Sequence, residues 1–147
     1  MTPSLATQNT LTLIGRALLA ALYIPAGYQQ LMGFDRTVEY IASNGVPLPG
    51  MAAALSVVIH LGLGLTLLLG YKARWAALGF AVFTVVITFI FHRYWADPGF
   101  VNMEATTQQA MTQKYHFYKN LGIVGGLLAF VGFGPGGWSI DATRGKA

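Results

Sequence analysis

Four long apolar stretches alternate with shorter polar ones along this chain. Residues 17–34, 50–71, 75–91 and 120–140 contain no Asp, Glu, Lys or Arg, over 18, 22, 17 and 21 residues. A helix rises about 1.5 Å per residue and needs about 20 mostly apolar residues to cross the hydrocarbon layer of a bilayer. Membrane-spanning strands would instead alternate apolar and polar positions over about ten residues. Residues 61–69 and 80–91 are apolar on every side, which excludes that pattern. The chain is therefore expected to be an all-α, four-transmembrane-helix antiparallel bundle. Its spans fall at about 11–34, 50–71, 74–95 and 117–138, in a single integral membrane domain covering 1–147.

The connections differ in length. Only residues 71–74 separate the second and third spans, behind Gly70 at a helix C-cap position, so these two spans should form a hairpin. Between the first two spans, 36–43 reads as a short interfacial helix. Asp35 is its N-cap, Val38, Ile41 and Ala42 share one face, and Asn44-Gly45 closes it. The third connection, 96–113, begins with Asp97-Pro98-Gly99 as a turn and continues through the polar run 106–109 as exposed helix. Gly122 and Gly126 repeat small residues at every fourth position, as do Ala73, Ala77 and Ala81. Such spacing lets helices approach closely, within one bundle or between copies in a homo-oligomer.

Composition changes the picture in two ways. Hydrophobic residues make up 54% of the chain and charged residues 10%, against about a quarter charged in soluble domains. A bilayer is the expected partner. The formal charge of +4 is scattered rather than clustered, so nucleic acid is not an expected one. The chain has no cysteine, which excludes disulfides, thiolate metal ligands and iron–sulfur clusters. Leaving out basic residues within or at the edge of helices, four of them (Lys72, Arg74, Arg144, Lys146) lie on the side of the termini. Arg36 and Lys114 lie on the other, so the positive-inside rule places both termini in the cytoplasm.

Three sets of residues are candidates for chemistry. His60 lies about 14 Å along its helix from Met51, near mid-membrane, where an ionisable side chain is expensive to bury. Thr84 and Pro25 fall at similar depth, and Pro25 leaves the Ala21 carbonyl without its helical donor. His60 is expected to bond that carbonyl, Thr84, or the carbonyl of a bound quinone; a satisfied interhelical histidine is the competing reading. A second set, Tyr28, Gln29, His92, Trp95, Lys119 and Asn120, gathers near the opposite end from the termini. It suits an interfacial belt, a quinone headgroup or an anionic substrate. His92 and His116 alone make a poor metal or haem site, and neither group is expected. No nucleophile, base and acid stand together, so no self-contained catalytic set is visible. At the end with the termini, Arg16 and Asp141 are expected to pair.

The residues also resemble a known family. Arg16-Ala-Leu-Leu-Ala-Ala-Leu-Tyr-Ile-Pro-Ala-Gly27, Gly45-Val-Pro47, Leu69-Gly70-Tyr-Lys-Ala-Arg74, Phe91-His92-Arg-Tyr-Trp95, Lys119-Asn120-Leu and the closing Gly134-Pro-Gly-Gly-Trp-Ser139-Ile-Asp141 are similar, in order, to the DoxX family. The resemblance implies a four-helix protein of the bacterial inner (cytoplasmic) membrane. Some relatives are linked to quinone-dependent oxidation of sulfur compounds, others to oxidative-stress complexes. It thus implies a quinone-interacting membrane subunit of an oxidoreductase system, working with a separate catalytic partner. The alternatives are a non-catalytic membrane anchor or assembly module and, more weakly, a small-solute transporter acting as an oligomer. One position departs from the pattern: His60 stands where the family commonly has Glu.

Overall fold

Ser4 opens the first helix by accepting the Thr7 N–H on its hydroxyl at 3.2 Å. From there α1 runs unbroken through Pro25 from Leu5 to Met32. The structure is a computed structural model that describes residues 4–96 and 108–145. Among the described residues there is helix and no strand. With 28 residues, α1 is longer than the hydrocarbon layer requires, so polar turns at its start extend beyond it. The helix therefore starts earlier than the expected 11, because Ser4 caps it and Thr, Gln and Asn tolerate a helix outside the apolar layer.

The interfacial helix is present as α2, Phe34–Ser43. Its N-cap is Gly33 rather than Asp35, which sits in the first turn. The inward face is Phe34, Thr37, Val38 and Ile41, while Ala42 is exposed, so the expected face is rotated by one position. Asn44 closes the helix, with Gly45 in the left-handed region at φ 75°.

The second long helix has three parts. They are α3 (Pro49–Val58), a π-helical turn (Ile59–Leu63) and α4 (Gly64–Leu69). Gly70 ends it in the left-handed conformation, as expected, and α5 (Ala73–Phe91) starts after a turn of two residues. A 3-10 turn, Tyr94–Ala96, follows. The next described element is α6 (Gln108–Phe133), and the short α7 (Ile140–Thr143) is capped by Ser139. The turn expected at Asp97-Pro98-Gly99 lies outside the described residues.

Among the described residues, three helical stretches are long and apolar enough to cross a membrane: Leu5–Met32, Pro49–Leu69 and Ala73–Ala96. Helix α6 has the length, but Lys114, His116, Lys119 and Asn120 make its first half polar. It also begins earlier than the expected 117 and stops at Phe133 instead of 138. Gly134 and Gly136 take φ of 82° and 80°, which turns the chain back across the bundle end.

Helix α5 lies at the centre, packed against α4 on one side and α6 on the other. Ala73, Ala77 and Phe80 on α5, Leu67 on α4 and Leu127 on α6 have no exposed surface. The alanine repeat is thus a buried ridge, but Gly122 and Gly126 border open space instead of a neighbouring helix. Close approach occurs elsewhere. A Cβ on Gly27 would fall 2.6 Å from the His60 Cβ, and one on Gly64 would fall 2.8 Å from Ile24 Cγ1. Helix α1 therefore rests directly on the π-helical turn.

The end bearing the termini is fastened by charges that serve backbone groups. The last carbonyls of a helix lack intrahelical donors. Buried Arg16 supplies them to Leu68, at 3.0 Å, and to Trp138. Arg74 does the same for Val131 and Gly132 at 2.8 and 2.7 Å. Asp141 accepts the Lys72 and Ala73 N–H groups, both at 2.8 Å, at the start of α5. The expected Arg16–Asp141 pair is an attraction at a distance and not a direct ion pair, because the hydrogen bonds of both side chains go to backbone groups.

Candidate functional site

Helices α1 and α6 meet at their lower ends, where a Cβ on Gly15 would touch the Phe130 ring. Higher up they stand on opposite sides of a cavity of about 280 Å³. Leu22, Tyr23 and Ala26 of α1 form one wall, and His116, Lys119, Asn120 and Ile123 of α6 the other. His60 on the π-helical turn and Thr84 and Ile87 on α5 close the back, with His92 at the rim.

His60 is buried, and its Nδ1 lies 2.8 Å from the Ser56 carbonyl oxygen and 3.3 Å from the Ser56 hydroxyl. A carbonyl oxygen can only accept, so Nδ1 carries the hydrogen and donates it. The Ser56 hydroxyl in turn donates to Gln30 Oε1 at 3.0 Å, which ties the ring to α1. The π-helical turn widens the helix at this point, a distortion that recurs at functional sites. Edge-on contact with Phe83, ring centroids 5.1 Å apart, and a tilted contact with Tyr23 at 5.8 Å fix the ring plane.

Neither expected protein partner of His60 is used. Ser56 takes the place of the Ala21 carbonyl, and the Thr84 hydroxyl pairs with the Tyr23 hydroxyl at 2.8 Å. With Nδ1 as the donor, the neutral ring has only a lone pair left at Nε2. Donation to a quinone carbonyl, the third expected bond, is therefore not available to it.

Of the residues singled out in the sequence, His60, Thr84, His92, Lys119 and Asn120 line this one cavity. Asn120 donates to Thr88 Oγ1 at 2.9 Å. Lys119 Nζ lies 3.1 Å from His116 Nδ1. An ammonium only donates, so that nitrogen accepts. His92 and His116 stack with centroids 5.1 Å apart, and His92 Nδ1 is 2.7 Å from Gln113 Oε1. Among the described residues no three of His, Cys, Asp and Glu gather as a metal-binding group.

The other candidates lie elsewhere. Tyr28 and Gln29 line a separate cleft between α1 and α2, beside Arg36. Trp95 packs edge-on against Tyr94 and Phe117, centroids 5.1 and 5.4 Å away, in an aromatic cluster at the interface end. Sequence reasoning missed Tyr23, whose ring stacks on Phe80 at 3.8 Å. A helical wheel could have found it, because Tyr23 falls on the face shared by Ala20 and Gly27. It also missed the Ser56 and Gln30 bridge, for which local sequence offers no signal.

Comparison with known proteins places these features in a family. Residues 11–93 match the DoxX family model. Inner membrane protein YphA of Escherichia coli (strain K12) is 33% identical over 136 residues, spanning 92% of this chain and 91% of YphA. Inner membrane protein YqjF of the same organism is 34% identical over 134 residues, spanning 91% of this chain and 92% of YqjF. A Surfeit locus protein 4 homolog of Drosophila melanogaster is 27% identical over 139 residues, which cover 95% of this chain and 43% of that protein. No solved structure matches. The all-helical fold, its three stretches of spanning length and these similarities together make the chain an integral membrane protein of the DoxX family.

Proposed function

We propose that the protein is a quinone-interacting membrane subunit of an oxidoreductase system, with the substrate chemistry performed by a separate soluble or membrane partner. One observation carries this reading: a cavity between helices of spanning length that combines apolar walls with a few polar groups. Leu22, Ala26, Ile87 and Ile123 suit an aromatic ring and its methyl groups. Lys119 at the rim offers a donor to a ring oxygen, and His60 at the back offers an acceptor to a ring hydroxyl. At about 280 Å³ the cavity takes one substituted ring, leaving an isoprenoid tail to run into lipid. An anchor or assembly module needs no such polar set between its helices.

The same reading makes α6 the fourth crossing of a single membrane domain, with Lys114 at the headgroup level of its outer end. Both termini then lie in the cytoplasm, and the bacterial inner membrane is the location, as the names of YphA and YqjF state for those relatives. The test is titration of a short-chain benzoquinone into the purified protein, followed by quenching of tyrosine and tryptophan fluorescence. Saturable quenching is expected for the wild type, and Ala26→Leu, which fills the cavity, should weaken it at least tenfold. Quenching that does not saturate, or that Ala26→Leu leaves unchanged, would refute the proposal.

A further inference from the structure

The hydrogen-bond direction at His60 bears on which redox state the cavity takes, given the quinone reading above. Nδ1 donates to the Ser56 carbonyl at 2.8 Å, and the Ser56 hydroxyl directs its own hydrogen to Gln30 Oε1. Both neighbours therefore hold Nδ1 in its protonated form. In the neutral ring Nε2 is then an acceptor, and among the described residues no group donates to it. The hydroxyls of Tyr23 and Thr84, on the same cavity, use one of their two hydrogens on each other, and the second can donate to a carbonyl or a hydroxyl oxygen alike. Nε2 of His60 is not sealed in the core, since the sealed, unpartnered side-chain atom among the described residues is Arg16 Nε. The His60 nitrogen is an accessible acceptor on a cavity-lining residue, and a ligand that brings a donor can bond it. A quinone presents only carbonyl oxygens, which would face the Nε2 lone pair. A hydroquinone presents hydroxyls. Lys119 at the rim does not discriminate, because an ammonium can donate to either kind of oxygen.

We infer that the cavity selects the reduced, hydroxyl-bearing form of the ring, with Nε2 of His60 accepting the hydroxyl hydrogen. His60 gives this site a neutral acceptor whose direction is set by its own helix.

The experiment compares three probes of one shape on purified protein in lipid nanodiscs: a decyl-benzohydroquinone, its benzoquinone and its dimethyl ether. A strong reductant keeps the first probe reduced, and the chain has no disulfide to lose. The wild type should bind the hydroquinone at least fivefold more tightly than either of the others. In His60→Leu the three affinities should converge to within twofold. His60→Gln, which can both donate and accept, should also lose the preference and serves if the leucine variant does not fold. Equal or tighter binding of the benzoquinone by the wild type overturns this inference while leaving the quinone reading in place. A hydroquinone preference that survives both substitutions overturns it as well. If no probe saturates, the quinone reading itself fails, and this inference with it.

Discussion

The hydroxyls of Tyr23 and Thr84 meet at 2.8 Å, joining α1 to α5 between positions 61 residues apart in sequence. Both side chains are buried, and the Tyr23 ring also stacks on Phe80. In Tyr23→Phe the stacking stays and the Thr84 hydroxyl can turn to a carbonyl of its own helix, as Thr88 already does to Thr84. Interhelical hydrogen bonds in membranes average about 0.6 kcal/mol. Tyr23→Phe should therefore lower the unfolding free energy by about 0.6 kcal/mol in mixed-micelle denaturation. A loss above about 2 kcal/mol would mean that the hydroxyl pair, not the ring packing, holds the interface.

Two glycines should respond in opposite directions to the same substitution. At Gly27 an added Cβ collides with the His60 Cβ, so Gly27→Ala forces α1 off the π-helical turn and should cost about 1–3 kcal/mol. At Gly122 nothing lies within 4 Å of the added atom. Gly122→Ala should be neutral or stabilise by about 0.5–1 kcal/mol through helix propensity. If Gly122→Ala destabilises and also dissociates a dimer on cross-linking, that face packs on a second copy.

Asp141 carries the bonds that close the bundle's lower end. Asp141→Ala leaves the Lys72 and Ala73 N–H groups without acceptors and should cost about 1–3 kcal/mol, with Asp141→Asn costing about half as much. Hydrogen exchange at those two amides should accelerate more than at the centre of α5. Uniform acceleration would mean that Asp141 stabilises the whole bundle rather than this joint.

How far the sequence disclosed the protein depends on whether the signal was local. Charge-free length located α1, the second long helix and α5, because the bilayer imposes that length on each helix separately. The stop at Gly70 and the hairpin after it followed from one residue's freedom at positive φ. The Gly-rich run 134–137 likewise reads as a helix stop, but the apolar stretch through Trp138 carries the expected span past Phe133, where left-handed Gly134 and Gly136 turn the chain. His60 and Thr84 were legible as polar residues at matching depth. Tyr23 was legible only as a member of the face of Ala20 and Gly27, and the Ser56–Gln30 bridge was not legible, because it arises from which helix lies beside which. The direction of the His60 bond needed the three-dimensional position of the Ser56 carbonyl.

Crossing number and orientation can be read together, as the chain has no native cysteine. Ser4, Ser43 and Thr143 are exposed positions at the start of α1, the end of α2 and the end of α7. With four crossings, Ser4→Cys and Thr143→Cys should both label from the cytoplasm and Ser43→Cys only from the opposite side. Labelling of Ser4→Cys and Thr143→Cys from opposite sides would show an odd number of crossings and remove α6 from the set of spans.

The most direct measurement for the central claim is photolabelling with an azido-quinone, followed by peptide mapping of the labelled residues. The account predicts labelling at Leu22, Tyr23, Ala26, Ile87 or Ile123, the residues around the cavity, and its suppression by excess unlabelled quinone. Labelling spread over outward-facing residues such as Leu18, Val82 and Leu128, without competition, would contradict it.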